Sequence, residues 1–341
     1  MKKQGLSNSS EHLNFSVIIP NYNGSQYVID CLNSLSQAIK QYPKSKFELI
    51  FVDNGSIDNS CQLFNDYFKQ NKFSNLTFKI DRLKSNFGFA GAVNRGIKQS
   101  QHPWVVLLNN DLTMEPNWFQ IISKEIQKNL NSKIITFFGT VLTKDGTKFE
   151  SQGLKYYFNG KCKNISNGKP FSSKALKLHS SNSLVWGASA SLIVYKKEII
   201  KKIGLFDDDF FAYEEDVDLA FRLNKLGYKT LYIPKAISYH LGGGTSNKMA
   251  NFRNRMDAKN WIYLIIKNYS ASEFWGNFGN IFVERLRNFS GLAKSTINKY
   301  HLKSILYLPY DITRTYGEVI LKLPKMLIKR HQIKKLVKYH N

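Results

Sequence analysis

Two short clusters of acidic or amide side chains contain residue types that could bind a metal ion or transfer a proton. The first is Asn109-Asn110-Asp111, which directly follows the apolar run Trp104 to Leu108. A carboxylate in such a polar setting can bind Mg²⁺ or Mn²⁺ through oxygen, because these ions take one or two carboxylates together with substrate phosphates. Asn and Asp are also common in turns, so the tripeptide by itself favours a turn over a metal site.

The second cluster has the sequence EEDVD and spans Glu214 to Asp218. Four acids within five residues repel one another, which predicts a raised pKa for at least one of them. A carboxylate tuned in this way can act as a general base. Two simpler interpretations stay open. Acids at a helix N-terminus complement the helix dipole, and Asp218 with Arg222 could form a surface ion pair.

Two further segments contain residue types that bind ligands. His240 precedes the glycines at residues 242–244. A neutral imidazole can bind a metal and glycines let the backbone approach a phosphate, although a lone histidine is more often an ordinary surface or core residue. The stretch Asn86 to Ala92 (NFGFAGA) places small residues at the start of a predicted helix. Helix N-terminal amides suit phosphate binding, and the simpler alternative is tight packing of this helix on a sheet.

The residues of interest follow predicted strands. Apolar, β-branched runs predict strands over residues 15–20, 47–52, 76–80 and 104–108, and helical spacing predicts helices over residues 27–39, 60–70 and 88–99. This alternation predicts an α/β fold with a mostly parallel sheet, which binds ligands beyond the carboxyl ends of its strands. Residues 21–23, 53–56 and 109–111 follow three of these strands, so their polar side chains should meet at one edge.

The second half of the chain gives a weaker pattern. Residues 144–183 are polar and rich in Gly, Ser and Lys, which predicts an excursion or a mobile segment. The predicted elements after it are helices over residues 197–203 and 214–226 and a strand over residues 230–233 that ends at Pro234. From residue 252 onward we expect basic, aromatic-rich helices that are interrupted by Pro309 and Pro324.

The 341-residue chain has a net charge of +24, from 49 Lys and Arg against 25 Asp and Glu. Such an excess points to polyanionic neighbours: nucleic acid, an anionic membrane surface or phosphorylated small molecules. Residues 251–341 contain 17 Lys and Arg against 5 Asp and Glu, so about half of the excess lies in this basic tail. The three cysteines form no CxxC pair, which argues against a cysteine metal or redox site, and an odd, sparse set fits a reducing compartment. We expect neither a signal peptide nor a membrane span.

Taken in order, these motifs resemble glycosyltransferase family 2, the inverting GT-A class. The similar segments are SVIIPNYNG (16–24), FVDNGSIDNS (51–60), NFGFAGAVNRGI (86–97), LLNNDL (107–112), WGASASLIVYKKEIIKKIGLFDDDFFAYEEDVDLAFRL (186–223) and YHLGGGTS (239–246). The E-D-V-D-L segment is most similar to the rhamnosyltransferase-like branch. The resemblance implies a Rossmann-like GT-A domain over residues 15–250, with a polar segment (1–14) before it and a basic helical extension (251–341) after it.

The resemblance also implies roles for individual residues. Asp111 matches the last acid of the DxD motif, which binds the metal, and His240 matches a histidine near the metal and diphosphate. Asp216 matches the expected catalytic base, and Asp53 matches the acid that binds the nucleotide base. Contacts with the nucleotide sugar are implied for Pro20, Tyr22, Asn23, Asp53, Asn86, Gly88, Asn110, Asp111, Trp186, Gly187 and Glu215.

The implied activity is inverting transfer of a sugar from a nucleotide-diphosphate donor, with UDP or dTDP favoured, using Mg²⁺ or Mn²⁺. The implied acceptor is a hydroxyl of a glycan or lipid-linked molecule in cell-surface polysaccharide synthesis. Two departures matter. Asn109 replaces the first acid of the DxD motif, which predicts weaker metal dependence. The chain also lacks the QxxRW motif of processive synthases, which favours a single addition over polymerisation.

The expected location is cytoplasmic. The basic tail could contact the anionic inner face of the membrane, because basic amphipathic segments lie at such interfaces. A solvated helical subdomain or a dimer surface is the equal alternative for the tail. Rival functions are a nucleotidyltransferase, a nucleic-acid-binding protein and a catalytically inactive sugar-nucleotide binder. The first loop, Asn21 to Gly24, lacks the cation of a nucleotidyltransferase, and the body contains no nucleic-acid-binding module.

Overall fold

The computed structural model describes residues 12–172, 181–241 and 250–340, and its centre is one large mixed sheet. The strands are β1 (Phe15–Asn21), β2 (Phe47–Asp53), β3 (Leu76–Arg82), β4 (Trp104–Leu108), β5 (Leu112–Met114), β6 (Ile134–Thr143), β7 (Phe149–Ser151), β8 (Leu154–Tyr157), β9 (Lys161–Asn164), β10 (Ser183–Val185), β11 (Leu192–Lys196) and β12 (Lys229–His240). Their order in the sheet is β10-β12-β6-β11-β4-β1-β2-β3, with β5 on β12 and β7 on β6. Strands β8 and β9 form a separate hairpin.

The helices are α1 (Ser25–Lys40), α2 (Ser60–Gln70), α3 (Gly88–Gln99), α4 (Trp118–Lys128), α5 (Lys197–Lys202), α6 (Glu215–Lys225), α7 (Ala250–Asn268), α8 (Ala271–Gly276), α9 (Phe278–Tyr300) and α10 (Ser304–His340). Short 3₁₀ helices cover Asp208–Phe210 and His301–Lys303. The predicted α/β architecture with a helical C-terminal extension is therefore present.

The half of the sheet that holds the first three motifs is parallel. Strand β1 pairs in parallel with β2 and β4, and β2 pairs in parallel with β3. Strands β1, β2 and β4 are almost continuously apolar and buried, as expected for strands covered on both faces. Beyond β4 the sheet becomes mixed, because β11 runs antiparallel to both β4 and β6.

Two proline-based predictions were wrong. Strand β12 does not end at Pro234 but continues to His240, because a register shift between Ile233 and Ile237 removes the proline from the regular ladder. Helix α10 is likewise continuous through Pro309 and Pro324. Its buried residues Val319 and Met326 pack into a hydrophobic cluster with residues of α7, and this packing offsets the backbone hydrogen bonds that the prolines remove.

The C-terminal helices pack on the α/β part of the chain rather than away from it. Trp261 and Tyr263 of α7 belong to the same buried cluster as Phe210, Val217 and Phe221. None of the helices in the described ranges is long and apolar enough to cross a membrane. The basic tail thus contributes a core of its own to the segment that contains the acidic cluster.

A buried ionic network joins α7 to the acidic segment. The Lys267 ammonium lies 2.7 Å from Asp207 Oδ2 and 2.8 Å from Asp218 Oδ2. Arg222 lies 2.9 Å from the same Asp218 oxygen, and both of their side chains are buried. The simpler interpretation of this pair as a surface ion pair was therefore wrong, because α7 covers the face of α6 that contains it. These cations lower the pKa of Asp218 against the effect of its burial.

We expect Lys267→Met to destabilise the protein strongly, because it leaves two buried carboxylates short of a cation. Breaking a buried ion pair from one side costs about 3–5 kcal/mol. Urea unfolding measures the effect. Arg95→Met is the matched control, since Arg95 forms an exposed pair with Asp81 and should change the unfolding midpoint little. Equal midpoints for the two variants would contradict the assignment of Lys267 as a structural centre.

Candidate active site

Polar side chains at the ends of β1, β2 and β4 form one hydrogen-bonded group. The amide of Asn21 donates to Ser60 Oγ at 2.8 Å and lies 3.5 Å from Asp53 Oδ1. Its carbonyl oxygen accepts from Asn110 Nδ2 at 2.6 Å. Gly24 borders this contact, and a Cβ there would lie 2.0 Å from Asn110 Nδ2. The predicted convergence of these strand ends is confirmed, since parallel strands present their carboxyl ends at one edge.

A second amide group connects the end of β2 with the start of α3. Asn54 Nδ2 donates to Asn86 Oδ1 at 2.9 Å and to the carbonyl of Gly88 at 3.0 Å. Asn86 Oδ1 also accepts from the Gly88 amide at 2.8 Å. Gly88 has a φ of +77°, and a Cβ there would lie 2.3 Å from the carbonyl oxygen of Phe211. Only glycine fits both the backbone angle and the close approach.

Asp111, which follows Asn110 of the first group, forms a hydrogen-bonded pair with His240. The pairing of β12 with β5 places His240 opposite Leu112, and its Nε2 lies 3.0 Å from Asp111 Oδ2. The other ring nitrogen, Nδ1, lies 2.6 Å from Glu150 Oε1. Burial alone would lower the pKa of His240, but the hydrogen bonds to both carboxylates outweigh it and raise the pKa to about 10.

This pair fits a divalent cation that takes most of its ligands from elsewhere. Asp111 Oδ2 and His240 Nε2 are hydrogen-bonded to each other, so a cation held by both would have to displace the proton between them. Both side chains remain about one-fifth exposed. Glu150 holds the second ring nitrogen, as carboxylates do behind metal-binding histidines. Within residues 12–172, 181–241 and 250–340 there is no set of three His, Cys, Asp or Glu side chains arranged to hold a metal. Phosphate oxygens and water would have to complete the coordination, as Mg²⁺ prefers.

The acidic cluster lies at the start of α6. Asp216 Oδ2 accepts from the Ala190 amide at 3.2 Å, and its Oδ1 accepts from Val217 N at 2.7 Å. Burial raises the pKa of Asp216, and these amide hydrogen bonds oppose the rise. Burial and the neighbouring carboxylates also hold the pKa values of Glu214 and Glu215 well above their usual range. Raised pKa values in this cluster agree with the prediction, but burial contributes more than the repulsion between the acids that the sequence suggested. A carboxyl with raised proton affinity suits a general base.

A short backbone bridge connects the two acidic centres. Asp216 binds the amide of Ala190, and the carbonyl of the next residue, Ser191, accepts from Asn109 N at 2.8 Å. Asn109 lies two residues before Asp111. The bridge formed by Ala190 and Ser191 therefore has the candidate base on one side and the candidate metal ligand on the other.

The other residues predicted to bind the nucleotide sugar differ in their burial and in their contacts. Pro20 is partly buried at the end of β1, and Tyr22 and Asn23 are exposed in the loop after it. Asn23 Oδ1 accepts from Ile57 N at 2.9 Å, which joins the first two loops. Trp186 stacks on Tyr156 with ring centroids 4.7 Å apart, so its indole contributes to an aromatic cluster. Residues 242–249, which include the glycine run, lie outside the described residues.

Two predicted residues sit close to α6. A Cβ on Gly187 would lie 2.7 Å from Ala220 Cβ, so this glycine permits the close packing of its segment on α6. Glu215 is buried, and its Oε2 has no hydrogen-bond partner within the described ranges. An unpartnered buried oxygen agrees with the raised pKa of this carboxyl, because the charged form is poorly solvated there.

The sequence did not point to Glu150, Asn260 or Lys267. Glu150 lies in β7, within the polar stretch that we expected to be an excursion, and β7 pairs with β6. Asn260 and Lys267 lie in α7, and both are buried. Asn260 and Lys267 flank the apolar run Trp261 to Ile266, which could have suggested that they are buried, but their partners are distant in sequence.

Comparison with known proteins agrees with this geometry. Residues 16–204 match the family described as Glycosyl transferase family 2. The amylovoran biosynthesis glycosyltransferase AmsB of Erwinia amylovora is 28% identical over 236 residues, covering 67% of this chain and 70% of that protein. The poly-beta-1,6-N-acetyl-D-glucosamine synthase of Staphylococcus epidermidis is 25% identical over 226 residues, or 66% of this chain. The chain spans about half of that relative, covering 49% of its length.

Solved structures share the fold. The mannosyltransferase PcManGT from Pyrobaculum calidifontis, in complex with GDP-Man and Mn²⁺, has a TM-score of 0.56 at 14% identity, covering 93% of this chain and 86% of that one. GalNAc-T7 with UDP, GalNAc and Mn²⁺ has a TM-score of 0.59 at 15% identity, covering 89% of this chain and 58% of that one. The predicted GT-A architecture is confirmed by these likenesses. With the family match over more than half of its length, the chain belongs to glycosyl transferase family 2.

Proposed function

We propose that the chain transfers a single hexosyl or rhamnosyl unit from a nucleotide-diphosphate sugar to a hydroxyl group, with inversion at the sugar carbon. UDP- and dTDP-linked donors are favoured, and the acceptor is a glycan or a lipid-linked molecule in cell-surface polysaccharide synthesis. The observation that carries this proposal is the bridge at Ala190 and Ser191, which has Asp216 bound on one side and the Asn109 to Asp111 turn on the other.

The donor would bind along the polar strand ends. Asn21, Asp53 and Asn110 offer amide and carboxylate groups at the edge of the parallel half-sheet, where ligands of such sheets bind. In support, the similar PcManGT and GalNAc-T7 structures contain GDP-Man and UDP respectively.

Asp111 and His240 would hold Mg²⁺ or Mn²⁺, and Glu150 would orient the imidazole. The Mn²⁺ in both similar structures supports a divalent metal. When bound, such an ion offsets the negative charge that develops on a leaving diphosphate. With Asn109 in place of an acid, Asp111 is the one carboxylate that this turn supplies.

Asp216 would take the proton from the acceptor hydroxyl as its oxygen attacks the anomeric carbon. Attack from the side opposite the leaving diphosphate inverts the configuration, and the nucleoside diphosphate leaves with the bonding electrons. The raised pKa of Asp216 suits this role, because a base is most effective when its pKa lies near the working pH. The amides of Ala190 and Val217 fix the direction of the carboxylate.

We expect Asp216→Asn to lower kcat by about 10²–10⁴-fold, the usual contribution of a general base, while donor binding stays close to normal. Release of nucleoside diphosphate from UDP-, dTDP- and GDP-sugars, with Mg²⁺ or Mn²⁺ and a mixed acceptor pool, measures turnover. Asp66→Asn on the surface of α2 is the control and should be fully active. Near-normal turnover by Asp216→Asn would disprove the base, and release of pyrophosphate instead would indicate a nucleotidyltransferase.

We expect Asp111→Ala to abolish the gain in nucleotide affinity that Mn²⁺ provides. Calorimetric titration of UDP, dTDP and GDP, with and without Mn²⁺, measures this gain. Glu150→Gln should reduce metal affinity by about 10–100-fold, since it acts behind the histidine ligand. Asp145→Asn, an acid in the turn next to β6 whose partners are Thr143 and Thr147, should change nothing. An Asp111→Ala protein that retains the full Mn²⁺ effect would rule out this site.

We also propose that the protein contacts an anionic membrane peripherally. The surface that would make this contact is the outer side of α8, α9 and α10. We define the C-terminal apolar face by its exposed residues Trp275, Phe278, Phe282, Leu286, Phe289, Ile320, Leu323 and Leu327. The first five recur at helical spacing along α8 and α9. Phe289 meets Tyr316 with ring centroids 6.2 Å apart, which joins this stripe to the stripe on α10.

Lysines continue the same face beyond its apolar part. Lys334 and Lys338 lie on the side of α10 that contains Tyr316 and Ile320, since they follow at multiples of the helical repeat. Both are exposed, and neither has an ion-pair partner within the part of the chain that the structure describes. An apolar stripe flanked by free cations is typical of helices that lie at an anionic lipid interface.

A bilayer fits this face better than a second copy of the chain. In an antiparallel two-fold dimer the basic end of one patch would lie on the apolar end of the other, which would bury Lys334 and Lys338 without an anionic partner. Interfaces between proteins are also depleted in Lys. Anionic lipid headgroups instead neutralise these lysines, and the aromatic side chains can enter the headgroup region.

We expect the full chain to float with phosphatidylcholine vesicles only when they contain phosphatidylglycerol, and salt to weaken this binding. The variant Trp275→Ser/Phe278→Ser and the variant Lys334→Glu/Lys338→Glu should each reduce binding at least about tenfold. Lys44→Glu/Lys124→Glu, with the same net charge as the second variant, is the control and should bind normally. Absence of flotation, or a dimer that the first variant converts to a monomer, would overturn the membrane assignment.

A further inference from the structure

The segment that leads into the acidic cluster has an unusual backbone. Phe211, Tyr213 and Glu214 have φ values of +66°, +67° and +66°, in the region that side chains other than glycine rarely occupy. Three such residues within four positions do not persist unless the surroundings hold them in place. They directly precede Glu215 and Asp216, so the path of this loop decides where the candidate base points.

One side chain of α7 holds this loop. The Asn260 amide nitrogen lies 2.9 Å from the carbonyl oxygens of Phe210 and Ala212 and 2.7 Å from that of Tyr213. Its two hydrogens are thus shared among three backbone acceptors of the strained loop. Asn260 is completely buried, so water cannot take over these hydrogen bonds in the native structure.

The other contacts between α7 and the loop are made by aromatic rings and are less directional. Phe211 donates no hydrogen bond to α7, but its carbonyl accepts from Ala90 N at 3.2 Å, which joins the loop to the start of α3. Phe252 of α7 contacts the Phe211 and Tyr213 rings with centroids 6.1 and 6.4 Å apart. These ring contacts restrict the volume that the loop can occupy, whereas Asn260 fixes the direction of the loop carbonyl groups.

We propose that Asn260 is a positioning residue for sugar transfer, which holds the loop 210–214 in its strained path so that Asp216 faces the acceptor hydroxyl. The inference rests on the proposed role of Asp216 as the base. It places part of the active-site support in α7, outside the 16–204 range of the family match. Asn260 touches neither donor nor acceptor and acts through the loop backbone.

The chemistry of the side chain supports this role. Asn260 Oδ1 has no hydrogen-bond partner within the described ranges, so the residue leaves a buried acceptor unsatisfied. An apolar side chain would avoid that cost but would leave three carbonyl groups without a donor. A carboxylate of the same shape would turn oxygen toward those carbonyl oxygens and repel them. The donor group is therefore what this position requires.

The test uses Asn260→Leu and the nearly isosteric Asn260→Asp in the full chain. We expect kcat to fall about 10²-fold in both, the loss that a displacement of about 1 Å causes, with a small change in the donor KM. The control is Asn251→Leu in the same helix. It breaks hydrogen bonds to Thr296 and Asp311, weakens the packing of α7 on α9 and α10, and contacts no atom of the loop.

The pH profile of kcat/KM separates positioning from stability. Burial raises the pKa of Asp216 in the native protein, and a loosened loop admits water to the carboxyl. The acidic limb of the profile should therefore move to lower pH in Asn260→Leu and stay in place in Asn251→Leu. Asn260→Asp is compared by kcat alone, because its added carboxyl would itself change the pKa of Asp216. The wild type, Asn260→Leu and Asn251→Leu share the same titratable and charged groups around the cluster, namely Cys162, Tyr195, Tyr213, Glu214, Glu215, Asp218, Arg253, Asp257 and Arg285.

Each outcome decides the inference. A folded Asn260→Leu protein with normal kcat and an unmoved acidic limb, or a folded Asn260→Asp protein with normal kcat, would overturn it, provided that Asp216→Asn is inactive. Loss of folding in both variants while Asn251→Leu folds would assign Asn260 to stability and overturn it as well. Normal turnover by Asp216→Asn would instead remove the base itself, so failure of the proposed function is recognised separately.

Discussion

The buried ammonium of Lys267 is the interaction on which the arrangement of this protein depends. It lies between Asp207, just before the strained loop, and Asp218, in the first turns of α6. Because a buried carboxylate without a cation is costly, these three residues must stay together. Everything between Asp207 and Asp218, including the loop and the acidic cluster, is thereby fixed against α7. Helix α10 adds to the same point, since Lys325 and Lys329 bind Asp207 and Asp209.

The C-terminal helices thus have two different faces. Their inner face provides Asn260, Lys267 and the aromatic cluster around Trp261, all of which support the catalytic part of the chain. Their outer face is apolar and basic and remains uncovered. The net charge of the tail alone suggested a solvated or membrane-bound appendage, but the inner face makes these helices part of the active-site support.

Local patterns were sufficient to predict the parallel half of the sheet. The boundaries of α2, α3 and β4 agree with the predictions, because apolar runs and helical spacing are strong in these segments. The meeting of Asn21, Asp53 and Asn110 followed from topology alone. The pairing of Asp111 with His240 did not, because it depends on β12 continuing past Pro234, and the bulge that allows this is formed by pairing with β6. Glu150 and Asn260 likewise could not be predicted from local sequence patterns, because each forms hydrogen bonds with residues that are distant in the sequence.

The protonation of the acidic cluster has a consequence for the approach of an anionic donor. By residue count, Glu214 to Asp218 contains four negative charges, which would repel a diphosphate. The raised pKa values of Glu214 and Glu215 favour the neutral acids, and Lys267 and Arg222 compensate Asp218, so the main charge that remains is that of Asp216, the candidate base. The local electric field of this segment is accordingly far weaker than its composition implies. A site built from acids can in this way admit a polyanion without a compensating layer of exposed lysines around it.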